Sequence, residues 1–134
     1  MDHKTYEKLA TMLENGKVRE LDEVLQPYLT QGDHDARFLA AHYSIDRNET
    51  VEEIDDRKIN EIQSLANQLH PRAMYVLAWC YRLGDGVEED RNKFSNYLMA
   101  SALLGYDLAI SDIATELEGN LGLSKFSEKF DVPD

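Results

Sequence analysis

Apolar residues recur along this chain three and four positions apart, the period of a helix with one buried face. Tyr6, Leu9, Ala10 and Leu13 make a first stripe, stopped by Asn15-Gly16. Leu21, Val24, Leu25, Tyr28 and Leu29 make a second, stopped by Gly32, and Pro27 inside it either bends that helix or restarts it. Asp35 can cap a third helix that turns Leu39, Ala40 and Tyr43 inward. Ile59, Ile62, Leu65, Ala66 and Leu69 form a fourth, ended by His70-Pro71. Met74, Leu77, Ala78 and Tyr81 form a fifth, ended by Gly84. Phe94, Tyr97, Leu98, Ser101, Ala102 and Leu104 form a sixth, ended by Gly105. Ala109, Ile110, Ile113, Ala114 and Leu117 form a seventh, ended by Gly119. Phe126 and Phe130 lie in a tail expected to fold back as a lid, with Ser124 as its cap. No strand-like alternation occurs and no linker is long enough to divide the chain. The pattern predicts a single all-α domain over 1–134, with about seven helices in antiparallel hairpins.

The helices are related to one another. Leu39-Ala40-Ala41-His42-Tyr43 matches Leu77-Ala78-Trp79-Cys80-Tyr81 thirty-eight residues on, and Ile113-Ala114-Thr115-Glu116-Leu117 repeats it after thirty-six more. Lys58-Ile59, with Ile62, Leu65, Ala66 and Leu69, aligns with Lys93-Phe94, Tyr97, Ala100, Ser101 and Leu104 at an offset of thirty-five. Two helices in a period of 35–38 residues are the mark of an α-solenoid. Residues 73–109 resemble a Sel1-like repeat, a relative of the tetratricopeptide repeat. The resemblance rests on Ala73, Leu77, Tyr81, Gly84-Asp85-Gly86-Val87, Asp90, Lys93, Tyr97, Ser101-Ala102, Gly105 and Ala109. Ala78 stands where that family usually has Gly, and Phe94 where it has Ala. The resemblance implies a short right-handed superhelix: an N-terminal capping hairpin at 1–34, a degenerate repeat at 35–72, the best-matching repeat at 73–108, and a capping helix and tail at 109–134. It also implies protein–protein interaction rather than reaction.

Charge narrows the partners. Fourteen Lys and Arg face twenty-six Asp and Glu, a formal net charge of −12. Such a balance argues against nucleic acid or an anionic membrane as partner. No apolar run nears the ~20 residues of a membrane span. The first twenty residues are polar, so no secretory signal is expected, and the one cysteine, Cys80, fits a reducing compartment such as the cytoplasm.

Chemical motifs are sparse. Gly84-Asp85-Gly86 reads as a tight turn rather than a phosphate cradle. His34, His42 and His70 lack the spacing of metal ligands, so neither metal nor cofactor is expected, nor catalysis. Candidate partner-binding residues fall in two groups. Trp79 occupies a variable repeat position, where it either anchors a partner or packs on the preceding hairpin; His42, Val76, Arg82, Asp112 and Glu116 share that surface by the same count. Glu52, Glu53, Asp55 and Asp56 belong to an acidic run that begins at Asp46, read either as a solvated helix start or as a patch for a basic partner. The expected function is a non-catalytic binding module, with a bacterial immunity protein that covers the active site of a basic toxin domain as the narrower expectation. An adaptor or regulatory scaffold in signalling or secretion is the alternative. Monomer and homodimer are both compatible with the sequence.

Overall fold

The computed structural model describes the backbone of residues 1–121 and the side chains up to residue 116. Within this span lie seven helices and no strand: α1 (His3–Glu14), α2 (Val18–Thr30), α3 (His34–Ala40), α4 (Val51–Asn67), α5 (Pro71–Leu83), α6 (Arg91–Leu103) and α7 (Asp107–Leu121). The expected lid, with Phe126, Phe130 and Ser124, lies outside the described residues.

Local chemistry sets the helix starts. Side chains of Asp2, Asp33, Thr50 and Asp90 accept backbone N–H groups three residues on, at 2.7, 2.9, 3.1 and 3.0 Å. Asp33, not Asp35, therefore caps α3, which leaves Asp35 in the first helical turn with its carboxylate available elsewhere. Pro27 does not interrupt α2, and α7 continues past Gly119 to Leu121. Tyr43 lies beyond the end of α3 yet is buried, its hydroxyl donating to Asp22 at 2.8 Å. Leu69 and Ile110, expected inside their stripes, are exposed; Leu69 falls past the end of α4, where its backbone turns left-handed at φ 64°.

One turn recurs. An N–H three residues past the helix end reaches back five positions at each of four junctions: Lys17 to Met12, Asp33 to Tyr28, His70 to Leu65 and Tyr106 to Ser101. The left-handed residues of these turns are Gly16, Gly32, Leu69 and Gly105; the last three stand 37 and 36 residues apart, and Gly16 precedes Gly32 by only 16. The next buried alanines, Ala36, Ala73 and Ala109, keep the same spacing and have no exposed surface. Of the offsets in the side-chain match, the 36 from α5 to α7 agrees with these intervals, the 35 from α4 to α6 is one residue short and the 38 from α3 to α5 is one residue long. The reason is that α3 stops early, so its inward residues are displaced relative to those of α5. The Gly84–Gly86 turn is tight as expected, with both glycines at positive φ (67° and 72°) and Asp90 N–H tied to Tyr81 O at 2.9 Å.

The core forms three clusters in chain order. Leu9, Leu21, Leu25, Ala36, Leu39 and Tyr43 join α1, α2 and α3. Phe38, Ile62, Leu65, Ala66, Ala73, Met74 and Leu77 join α3, α4 and α5. Ala78, Phe94, Leu98 and Ala109 join α5, α6 and α7. Tyr6 bridges the first two clusters, and Tyr81 and Tyr97 bridge the last two. Substantial helix packing joins chain neighbours, with α1 against α3 in addition. Ser101 is fully buried and donates to Pro71 O at 2.8 Å, so its hydroxyl ties α6 to the first turn of α5.

Candidate functional site: a groove across the odd-numbered helices

The recurring turn lines up the starts of α3, α5 and α7, and α1 lies alongside them. Between α1 and those starts is a groove of about 820 Å³. Its floor carries Asp35, His70 and Arg72; its walls are the Tyr6–Ala10–Glu14 side of α1 and the Leu104–Leu108 turn into α7. In the turn register Asp35 and Arg72 occupy equivalent positions of successive helices. Packing of α3 and α5 against α4 thus brings carboxylate and guanidinium together, with Arg72 Nη1 donating to Asp35 Oδ1 at 3.1 Å. The same oxygen accepts from His70 Nε2 at 2.8 Å.

Arg72 also lies between two rings. Its guanidinium carbon is 3.5 Å from the Tyr6 ring centre and 5.9 Å from that of Tyr106. Tyr106 packs on Tyr75 at 5.2 Å, and the Tyr75 hydroxyl donates to Asp112 at 2.6 Å. Asp112 accepts Trp79 Nε1 at 3.3 Å, and the Trp79 ring meets Phe94 edge-on at 5.2 Å. On the other side His70 packs against Phe38, and Phe38 against His42 at 4.6 Å. One chain of rings and charged groups therefore runs beneath the groove and past both of its ends.

Environment fixes the charge states. Burial pushes the Asp35 carboxyl up, but the hydrogen bond from His70 and the Arg72 charge outweigh it, and Asp35 stays below the usual carboxylate range. Burial raises the Tyr6 and Tyr75 phenols to about 12, in Tyr75 with help from Asp112. The His42 pKa is lowered by burial, against the raising effect of its 2.6 Å hydrogen bond to Phe38 O. The Asp35–His70 pair looks like an acid–base dyad, yet His70 Nδ1 accepts Ala73 N–H at 3.3 Å and so caps α5. Both ring nitrogens are engaged inside the fold, leaving no lone pair for a substrate. Among the described residues no three His, Cys, Asp or Glu side chains converge as a metal site needs, and no helix is long and apolar enough to cross a membrane.

None of the ten residues singled out from the sequence lines this groove. Trp79 and Asp112 do come together, and the Arg82 guanidinium lies 5.6 Å from the centre of the Phe94 ring that Trp79 meets. Trp79 packs on the helices that follow it, α6 and α7, rather than on the preceding hairpin. Glu116 lies further along α7 and is half-buried. His42 sits at the far end of the ring network. Val76 and Asp55 line a separate cleft of about 180 Å³ between α4 and α5, with Lys58 and Cys80. Glu52, Glu53, Asp55 and Asp56 are exposed on the first two turns of α4, away from the groove. The acidic run divides, because Glu49 is bound internally: Arg57 Nε and Nη2 grip its carboxylate, each at 2.9 Å. Of the groove residues, Tyr6 reads from the sequence as core, Asp35 as a cap and His70 as a helix end, and Arg72 and Tyr106 are not singled out. The 37/36 turn register was the available signal, since it sets Asp35 beside Arg72.

Comparison with known proteins returns no matching family model, no matching curated protein and no matching solved structure.

Proposed function

We propose that this chain is a non-catalytic protein-binding module built as a short Sel1-like α-solenoid, with the groove between α1 and the starts of α3, α5 and α7 as its binding face. The observation that carries the reading is the groove floor itself. Asp35, His70 and Arg72 satisfy one another between Tyr6 and Tyr106, so the surface is preformed and loses little entropy when a partner arrives. The solenoid reading is supported by the turn that recurs at 37 and 36 residues and by a core strung out in three successive clusters.

The narrower reading is an immunity protein that works in the cytoplasm and covers the active site of a basic toxin domain. Its support is the net charge of −12 together with the exposed acids of α4. The adaptor reading draws on a second cleft, about 350 Å³, on α5 and α6, where Tyr81 and Tyr97 stack at 5.8 Å beside Met74 and Lys93. Two separate faces suit two partners. The test is capture of partners by the tagged chain at low and high salt, followed by an amide-exchange footprint on the purified complex. One stoichiometric toxin-like partner that protects the groove, and is released by Leu108→Asp, fits the inhibitor. Two partners with separate footprints fit the adaptor. A footprint that spares the groove contradicts the site. Reversing Glu52, Glu53, Asp55 and Asp56 then reads the share contributed by the α4 patch.

A further inference from the structure

The groove has a charge and a shape that select among protein partners. Four carboxylates, those of Glu7, Glu14, Asp35 and Asp107, face it against the single guanidinium of Arg72, and no lysine lines it. Asp35 is already held by His70 and Arg72. Glu7, Glu14 and Asp107 are exposed on the rim, with His3 on Glu7 at 2.9 Å. The rim is therefore anionic and the floor close to neutral.

The spacing along α1 is regular. Glu7, Ala10 and Glu14 fall on one side of the helix, and seven residues at a 1.5 Å rise separate the two acids by about 10 Å. Between them Ala10 offers only a methyl group, so a backbone can lie close to α1 there. Three residues of an extended or polyproline-type segment cover about 9–10 Å, and in the polyproline form positions i and i+3 share one face. On the opposite wall Leu104 and Leu108 are about half exposed, at 46% and 53%, and can take an apolar side chain that lies between two cationic ones.

We infer that the groove binds an extended basic segment of a partner protein, with Lys or Arg at positions i and i+3 meeting Glu7 and Glu14 and an intervening apolar residue meeting Leu104 and Leu108. The assignment rests on the protein-binding reading of the same groove.

The test uses the full chain and a fluorescein-labelled twelve-residue peptide made of three Lys-Pro-Leu blocks followed by Lys-Pro-Leu, which places a lysine at every third position. Anisotropy should report saturable binding that weakens at least tenfold between 50 mM and 500 mM salt. The Glu7→Lys/Glu14→Lys double variant should lose at least tenfold in affinity. The Glu52→Lys/Glu53→Lys variant changes the net charge equally but lies on α4, and it should lose less than threefold. Both pairs are solvent-exposed, and the milder Glu7→Gln/Glu14→Gln variant, checked by circular dichroism, serves if a lysine pair unfolds α1. Equal losses from the two charge reversals overturn the inference, as does equal affinity for the peptide with Gln in place of Lys. So does tight binding confined to a helix-forming basic peptide. A native partner that protects the groove but is indifferent to Glu7 and Glu14 overturns this inference alone, whereas a partner that leaves the groove unprotected overturns the site itself.

Discussion

Leu69 adopts φ 64° with its side chain 62% exposed, at the turn position where Gly16, Gly32 and Gly105 stand in the equivalent places. A Cβ in that region costs about 1–2 kcal/mol, and glycine gives back part of the gain through its freer unfolded chain. Leu69→Gly is expected to stabilise the protein by about 0.5–1 kcal/mol in urea denaturation; a loss of stability would show that the leucine makes contacts that outweigh its strain. His70 acts twice, as cap of α5 and as partner of Asp35. His70→Ala should cost about 2 kcal/mol, from a lost cap and a half-buried carboxylate deprived of a donor. His70→Asn should recover the cap portion, and equal losses in the two variants would refute the capping role. His42 supplies a pH signature. Its folded pKa lies below the ordinary 6.5, so the unfolded chain takes up the proton first. The stability that neutral His42 contributes is full above that value and declines as pH falls through it toward the folded pKa. The difference between wild type and His42→Leu, followed from pH 8 to pH 5, should shrink in acid; a constant difference would contradict the burial of His42.

At the scale of elements, the connection between α3 and α4 is the least regular part and the most dependent on one side chain. Arg57 grips Glu49 and donates to Tyr43 O at 2.9 Å and Ala40 O at 3.4 Å, fastening residues 41–50 to α4. Hydrogen bonds to the Arg57 charge hold the Glu49 carboxyl down to about 2. The clasp is complete above the ordinary carboxylate range, near pH 4.5, and is released as pH falls toward 2. Arg57→Ala should raise amide exchange across residues 41–50 several-fold at neutral pH while leaving α5 and α6 unchanged; no change there would mean the loop holds itself. The helices themselves were legible because each carries an apolar stripe with Gly, Asn or Pro at its ends. Their register was less so: side chains matched at 38, 36 and 35, and of these only the 36 from α5 to α7 coincides with the backbone intervals of 37 and 36. Apolar side chains tolerate a one-residue slide along a helix, and a left-handed turn does not. Asp35 reads as a cap from the sequence, but Asp33 two residues earlier takes that place, which leaves Asp35 in the first turn of α3 to meet Arg72.

For the whole molecule, the all-helical architecture followed directly from periodicity, while the groove did not, because it belongs to no single helix. Tyr6 from α1, Asp35 from α3, Arg72 from α5 and Tyr106 before α7 meet only once the helices are set side by side. Trp79 drew attention by its variable repeat position, yet its indole N–H is committed to Asp112 and its ring to Phe94, so it packs within the α5–α6–α7 cluster. The central claim is that this groove is where a protein partner binds. The most direct measurement is the amide-exchange footprint of the purified native complex, compared with the free chain. Protection of the Tyr6–Glu14 side of α1 together with the Leu104–Leu108 turn is the result the account predicts. Protection confined to the first turns of α4, or to the α5–α6 cleft around Tyr81 and Tyr97, would contradict it.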